Sequence, residues 1–309
     1  MRRRLRWLAS RAAVAALALI VPLAASAAGL APRTVAPAET FTVGMLQVER
    51  FGAASGTPIV LIPGLFCGTW VWNREIALLA PAHPVYALTL PGFDGRPAAG
   101  GDMLMNRAAA DLARLIAVRH LGHPVIVGHS LGGTLAVLFA EKYPTAAAAI
   151  ISAEGGYPVA PTHVARERAV AASVQPYVGT NRTTFPPLLK QRMLQYVITD
   201  PSDVNAVERL VARADPAAVV AWMRAALTLD LTPGLSAIHV PFTEIVPFDA
   251  RIDPYVGYKT FAAKRAAYAQ FVAHAPHGSV VMIPNARHFE MLDQPAAFDR
   301  ALLAAVAHA

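Results

Sequence analysis

The sequence feature that most constrains the fold is a serine held between glycines, in the stretch Val125–Gly133 with sequence VIVGHSLGG. A β-branched apolar run ends at Gly128, and a helical pattern follows from Thr134 to Lys142. A strand can become a helix within one or two residues only if the flanking positions lack a Cβ atom and the central residue accepts a strained backbone. Such a turn lifts the hydroxyl of Ser130 above the helix N-terminus, where a developing negative charge is stabilised. A chance G-x-S-x-G is possible in a chain rich in alanine and glycine, but this context favours a nucleophile.

Short apolar strands alternate with amphipathic helices along most of the chain. The first half predicts strands at 41–43, 45–51, 59–62, 85–90, 125–128 and 148–152, with helices at 69–79, 103–120 and 134–142. The pattern resumes near the C-terminus with strands at 242–246 and 280–283 and helices at 259–274 and 295–307. Apolar strands that alternate with helices predict an α/β fold, with a mostly parallel central sheet covered by helices on both faces.

One segment interrupts this alternation. Residues 158–237 contain helical patterns punctuated by prolines and no convincing strand. We interpret this segment as a helical cap inserted over the open edge of the sheet. The core is then formed by residues 28–157 and 238–309.

The N-terminus has the layout of a secretory signal peptide over residues 1–27. Five arginines precede a short apolar run, and Ala25-Ser26-Ala27 forms an A-x-A cleavage signal. The sequence therefore predicts a mature chain that begins at Ala28 and is secreted or periplasmic, without stable membrane association. An uncleaved N-terminal anchor is the alternative interpretation.

Removal of this segment changes the charge of the protein. The whole chain has 27 basic and 20 acidic residues, and 22 basic residues remain once the five N-terminal arginines are removed. A net charge of +2 gives no indication of a nucleic-acid surface. Cys67 is the only cysteine, which excludes an intramolecular disulfide, and a buried apolar role is favoured over a reactive thiol.

Three motifs and a C-terminal histidine make the chain resemble the α/β-hydrolase fold family, in particular its capped serine esterases. These are Pro63-Gly64-Leu65, Leu90-Pro91-Gly92-Phe93, Gly128–Gly132, and His288 in the tail HFEMLDQP. The resemblance implies a serine, an acid and a histidine as catalytic residues, with no metal and no cofactor. Many members have His-Gly where this chain has Pro63-Gly64, so only a backbone donor is expected there.

The histidine base is predicted to be His288. A serine hydroxyl needs a base within hydrogen-bonding distance, and His288 follows an apolar strand in a loop that can reach the sheet edge. His129 is adjacent to Ser130 but should point away from its hydroxyl, while His274 and His277 lack a following helix.

The acid has three candidates. In the family it follows the strand after the cap, which favours Asp249, with Asp253 as an alternative that requires a longer loop. Glu154, at the end of the strand after the nucleophile helix, is the third candidate. Its role is to accept the second imidazole N–H and to stabilise the imidazolium.

The backbone N–H groups of Leu65 and Leu131 are expected to form the oxyanion hole. Three aromatic residues near these motifs, Phe66, Trp70 and Phe93, are candidates for the substrate pocket, although aromatic residues at such spacing also occur in cores.

The sequence thus predicts a secreted serine hydrolase that cleaves small carboxylic esters through an acyl-enzyme, with no nucleic-acid partner. An amidase, lactonase, C–C hydrolase or perhydrolase would use the same residues. A non-catalytic binding protein on a hydrolase fold is the alternative from another class.

Overall fold

The computed structural model describes residues 29–52 and 55–309, so the predicted signal peptide lies outside the described residues. The described chain contains an eight-stranded sheet. Its strands are β1 Glu39–Val43, β2 Leu46–Gly52, β3 Ile59–Ile62, β4 Pro84–Thr89, β5 Val125–His129, β6 Ala149–Ala153, β7 Phe242–Phe248 and β8 Gly278–Pro284.

The strand order is β1-β2-β4-β3-β5-β6-β7-β8. Only the pairs β1–β2 and β2–β4 are antiparallel, and every other pair is parallel. Each residue of β3, β4, β5 and β6 is buried, as expected for central strands covered by helices on both faces. The edge strands β1 and β8 alternate in exposure, because one of their faces is open to solvent. The predicted α/β fold is therefore confirmed.

Helices connect and cover these strands. Those of the core are α1 Asn73–Leu79, α2 Leu104–Val118, α3 Leu131–Lys142, α9 Phe261–Val272, α10 Glu290–Asp293 and α11 Pro295–Val306. The residues between β6 and β7 form α4 His163–Val174, α5 Phe185–Leu189, α6 Gln195–Val197, α7 Pro201–Val211 and α8 Pro216–Leu227, with no strand. Asp200 and Asp215 each precede a proline and cap α7 and α8 through their side chains, so the sequence itself starts these helices.

The helical segment between β6 and β7 is attached to the core on two sides of the sheet edge. On one side, the indole N–H of Trp222 in α8 donates to the carbonyl of Pro91 (3.0 Å), and Asp215 N–H donates to Gly92 (2.7 Å). On the other side, Phe289 N–H donates to the carbonyl of Val197 (3.1 Å). These contacts place the segment over the carboxyl ends of the parallel strands. Within the described residues, no helix is both long and apolar enough to cross a bilayer.

The turn between β5 and α3 is tightly packed. Ser130 has φ 54° and ψ −116°, a conformation that is strained for a residue with a side chain. A Cβ atom on Gly128 would collide with the backbone of Gly132, and one on Gly132 would collide with the carbonyl of Ile62 at the end of β3. The two glycines thus let the turn that carries Ser130 pack directly against the neighbouring strand.

Two differences from the sequence prediction matter for the site. Strand β7 continues to Phe248, two residues beyond its predicted end, because it pairs with β8 along its whole length. The predicted helix 69–79 begins as a 3₁₀ turn over Thr69–Trp72 before α1 starts at Asn73.

We predict that Gly132→Ala lowers the free energy of unfolding by roughly 1–3 kcal/mol, because the added methyl group meets rigid backbone. Gly100→Ala is the matched control, since a Cβ there would contact nothing within 4 Å and should change the stability by less than about 0.5 kcal/mol. Urea denaturation followed by circular dichroism measures both. Equal stability of the two variants would contradict the packing argument.

Candidate active site

Two neighbouring strands deliver candidate site residues to the same edge of the sheet. Ser130 follows β5 and Glu154 follows β6, and the N–H of Ser130 donates to the carbonyl of Ala153 (2.8 Å). Glu154 also has a positive φ, 47°, which turns its side chain out of the strand direction. A strained backbone at two adjacent strand ends is typical of functional sites.

His288 connects these two residues. Its Nε2 atom lies 2.7 Å from Ser130 Oγ, and its Nδ1 atom lies 2.6 Å from Glu154 Oε2. Because an ionised carboxylate can only accept, Nδ1 carries the proton and Nε2 is free to accept from the serine hydroxyl. The arrangement is therefore a hydrogen-bonded triad of serine, histidine and glutamate.

The backbone around His288 is held in place. The carbonyl of His288 accepts a hydrogen bond from His129 Nε2 (2.8 Å), and the N–H of Arg287 donates to Asp293 (2.7 Å). Burial and the adjacent His288 lower the pKa of His129 to about 3, so His129 remains neutral and serves as a donor. His129 points away from the serine hydroxyl, as the sequence predicts. Its hydrogen bond holds the backbone of His288 instead.

The expected acid, Asp249, does not contact His288 in this structure. Its carboxylate accepts from Arg251 and from Arg287 Nε (2.8 Å). Burial opposes ionisation of Asp249, but the hydrogen bonds from the two arginines hold its pKa below the usual range. Asp249 therefore fastens the loop that carries His288 instead of pairing with the imidazole.

The length of β7 explains this correction. Ala153 at the end of β6 pairs with Ile245, yet β7 continues for three more residues to Phe248. Three residues of strand are about 10 Å. Asp249 thus emerges well beyond the level at which Glu154 leaves the sheet.

The alternative acid, Asp253, also lies away from the histidine. Its Oδ1 atom pairs with Lys264 Nζ (2.8 Å), and its Oδ2 atom accepts from the N–H of Asp249 (2.7 Å). The same Lys264 ammonium donates to Glu154 Oε1 (2.6 Å). Burial would raise the pKa of Glu154, but the hydrogen bond from His288 and the charge of Lys264 outweigh it and lower that pKa to about 2.

Two further carboxyl groups lie near the triad without a charged partner. Glu244 in β7 accepts from the N–H of Gly155 (2.9 Å), and Glu290 begins α10. Burial raises the pKa of both groups well above the ordinary value, and the charge of Glu154 adds to this effect. Burial therefore disfavours the charged form of both groups.

The loop after β3 passes beside the serine, as the sequence predicts for an oxyanion hole. A Cβ atom on Gly64 would lie 3.3 Å from Ser130 Cβ, so a side chain at this position would crowd the serine. Leu65 and Leu131 line the same cavity as Ser130. The N–H of Leu131 is the first of helix α3 and has no partner within the helix.

A cavity of about 530 Å³ opens over the triad. Apolar side chains from the helical segment cover one wall, namely Met193, Tyr196, Val197, Met223, Ala226 and Leu227. Phe66, one of the predicted candidates for the substrate pocket, lines the cavity. Trp70 and Phe93 do not line it, because both are buried in the core, where Phe93 packs against Trp222. Cys67 is fully buried, and burial raises the pKa of its thiol well above the ordinary value.

Sequence reasoning missed Lys264, Arg287 and the pocket residues of the helical segment. Lys264 stands beside the exposed Arg265 in a helix of mixed pattern, so nothing local distinguishes a buried lysine from a solvated one. For Glu154 a signal existed, since a carboxylate followed by Gly155-Gly156 ends the strand next to the nucleophile strand. Among the described residues, no cluster of three or more His, Cys, Asp or Glu residues is arranged to hold a metal ion.

Comparison with known proteins agrees with this architecture. The model of the alpha/beta hydrolase family matches residues 59–301, which is most of the chain. The chain belongs to this family. Membership is in line with the strand order, the serine turn after β5 and the histidine loop after β8.

Individual relatives share parts of the chain or the fold. The 1-acylglycerol-3-phosphate O-acyltransferase ABHD5 of Rattus norvegicus is 30% identical over 162 residues, which cover 51% of this chain and 44% of that protein. The chain thus spans less than half the length of the curated relatives that it matches.

Two solved hydrolases illustrate the shared fold. A thermophilic esterase from Thermogutta terrifontis matches with a TM-score of 0.70 at 24% identity, over 88% of this chain and all of that one. An enol-lactonase from Burkholderia xenovorans LB400 has the same TM-score at 16% identity, over 87% of this chain and all of that one.

We predict that Glu154→Gln lowers kcat on an ester by roughly 10³-fold with little change in KM, because an amide cannot stabilise the imidazolium. Asp249→Asn should keep kcat within about threefold but reduce stability, because its arginine partners lose an anion. Since the pKa of Asp249 is lowered by folding, this stability difference is fully present at pH 7, begins to fall near pH 4 and is lost only as the pH falls through the lowered pKa of Asp249.

Steady-state kinetics at pH 7, and urea denaturation of both variants from pH 7 down to about pH 2, measure these effects. A crippled Asp249→Asn enzyme beside a nearly normal Glu154→Gln enzyme would restore Asp249 as the acid.

Proposed function

We propose that this protein is a serine hydrolase that cleaves carboxylic esters through an acyl-enzyme. The observation that carries the proposal is the hydrogen-bonded triad Ser130–His288–Glu154 at the floor of a mostly apolar cavity. A serine within 2.7 Å of an imidazole that is oriented by a carboxylate is the arrangement required for nucleophilic catalysis.

The reaction follows from this geometry. Ser130 Oγ attacks the ester carbonyl carbon while its proton moves to His288 Nε2. The backbone N–H groups of Leu65 and Leu131 stabilise the oxyanion. Glu154 holds the Nδ1 proton and stabilises the imidazolium, which then protonates the leaving alcohol. Water, deprotonated by His288, attacks the acyl-enzyme and releases the acid.

The charges around the cavity favour uncharged substrates. Two described residues that line it carry a permanent positive charge, Lys264 and Arg287, and both are already paired. Lys264 contacts two carboxylates, and Arg287 binds Asp249 and the carbonyls of Gln195 and Ile198. A substrate carboxylate would thus be desolvated without gaining an available cation.

The fold does not choose among related reactions, since esterases and a lactonase share it at low identity. The apolar wall and the absence of an available cation in the described lining are the features that favour a neutral ester. The positively charged N-terminus before an apolar run supports export through a cleaved signal peptide.

We predict that Ser130→Ala abolishes both ester turnover and covalent labelling by a fluorophosphonate probe, while the protein remains folded. Turnover should fall by at least about 10⁴-fold, leaving only the residual that binding and the oxyanion donors provide. Ser152→Ala is the matched control, since this serine is buried in β6 and should label normally. Retained turnover in folded Ser130→Ala would refute the proposed mechanism.

We also predict a preference for a neutral acyl chain over an anionic one of the same length. At pH 7, kcat/KM for p-nitrophenyl butyrate should exceed that for p-nitrophenyl hemisuccinate by about tenfold or more, because the carboxylate finds no available cation. The kcat/KM for each ester is divided by the rate constant for hydrolysis of the same ester by free imidazole. This ratio corrects for the intrinsic reactivity of the two esters. Equal corrected values would contradict the charge argument.

A further inference from the structure

A chain of buried charges continues from the triad into helix α9 and the loop after β7. Lys264 is 3% exposed, and its ammonium contacts Glu154 Oε1 at 2.6 Å and Asp253 Oδ1 at 2.8 Å. Burial opposes its charge, but the two carboxylates outweigh this and raise the pKa of Lys264. Lys264 is therefore a fixed cation, and Glu154 lies between it and His288.

Lys264 and His288 contact different oxygen atoms of the Glu154 carboxylate. Oε1 of Glu154 is taken by Lys264, and Oε2 is directed to His288 Nδ1. A carboxylate with only the imidazole as partner could rotate about its last side-chain bond, which is a broad, soft torsion. The lysine thus holds the carboxylate plane in the orientation that the imidazole needs.

Burial disfavours the charged forms of the other titratable groups around Glu154. It raises the pKa of Glu244 and of Glu290 and lowers the pKa of His129 to about 3. Burial likewise raises the pKa of the phenols of Tyr258 and Tyr268, and Tyr157 stacks on Tyr268. Lys264 and Asp253 are therefore the charged groups connected to the pair of Glu154 and His288 by hydrogen bonds and ion pairs. Arg287, which precedes His288 in the chain, is paired with Asp249 instead.

We propose that Lys264 is a positioning residue of the triad, which orients Glu154 and, in balance with Asp253, sets the acid limit of the enzyme's pH range. This inference rests on the proposed function. It assigns a role to an ion pair that the reaction mechanism itself does not use.

The inference predicts shifts of opposite sign for the two partners. Without the lysine cation, the imidazole of His288 is protonated more readily. The acid limb of the pH profile, which is the fall of kcat/KM at low pH, should therefore move to higher pH in Lys264→Met. In Asp253→Asn, no anion offsets the positive charge of Lys264, so protonation of the His288 imidazole becomes less favourable. The acid limb should therefore move to lower pH in this variant. For a unit charge at about 6 Å, an effective dielectric constant of about 20 to 40 gives about 1 to 2 pH units.

A merely structural role predicts a different result. If the pair only anchors the 3₁₀ turn Asp253–Val256 to α9, either substitution removes the same anchor. Both variants would then lose stability or activity together, without opposite displacement of the pH profile.

The experiment measures kcat/KM for p-nitrophenyl butyrate from pH 4.5 to pH 9 at constant ionic strength, in the full mature chain. It compares the wild type with Lys264→Met, Asp253→Asn and the double variant, whose acid limb should lie between those of the single variants. Arg265→Met is the matched control, because this neighbouring cation on α9 is exposed and its loss should leave the limb unchanged.

Opposite shifts of the single variants support the inference, while shifts of the same sign or no shift would overturn it. If Lys264→Met does not fold, the sign of the shift in Asp253→Asn and in the double variant decides. The Ser130→Ala variant separates the two proposals. Its continued turnover removes the proposed function, whereas an inactive Ser130→Ala enzyme with an unmoved limb in Asp253→Asn and Lys264→Met removes only this inference.

Discussion

The structure depends on the close contact of the turn after β5 with the backbone around it. Gly132 packs against the carbonyl of Ile62, and a Cβ atom on Gly155 would lie 2.6 Å from the carbonyl oxygen of Ser130. These contacts hold Ser130 at a positive φ, which a free peptide would rarely adopt. They also bring the loop after β3 and the end of β6 next to Ser130.

Buried charge in the site is balanced rather than avoided. Glu154, Lys264 and Asp253 form an alternating series of charges, and ionised groups can be buried only when they are paired in this way. Burial disfavours the charged forms of the neighbouring Glu244 and Glu290, which weakens their competition for the lysine. A single cation can therefore serve two carboxylates while Glu154 remains available to the imidazole.

The acidic residues after β6 and β7 support different parts of His288 and its loop. Glu154 contacts the imidazole directly, whereas Asp249 acts on the backbone through Arg287, whose other bonds reach the helical segment at Gln195 and Ile198. The loop that carries His288 is thereby linked both to the sheet and to the helical segment that covers the cavity. A movement of that segment would displace the loop that carries His288, because the N–H of Phe289 also donates to the carbonyl of Val197.

Local patterns in the sequence were sufficient for the fold, the serine turn, the histidine loop and the helical segment between β6 and β7. Each of these depends on residues close together in the chain, such as glycines around Ser130 or an aspartate and proline that start α7 and α8. The contact of His288 with Glu154 rather than Asp249, the burial of Lys264 and the core positions of Trp70 and Phe93 depend on tertiary structure. Two additional residues in β7 are enough to move Asp249 by about 7 Å. That strand length is set by pairing with β8, whose paired residues lie 36 positions further along the chain (Phe242 with Gly278). The burial of Lys264 is set by carboxylates from two other parts of the chain.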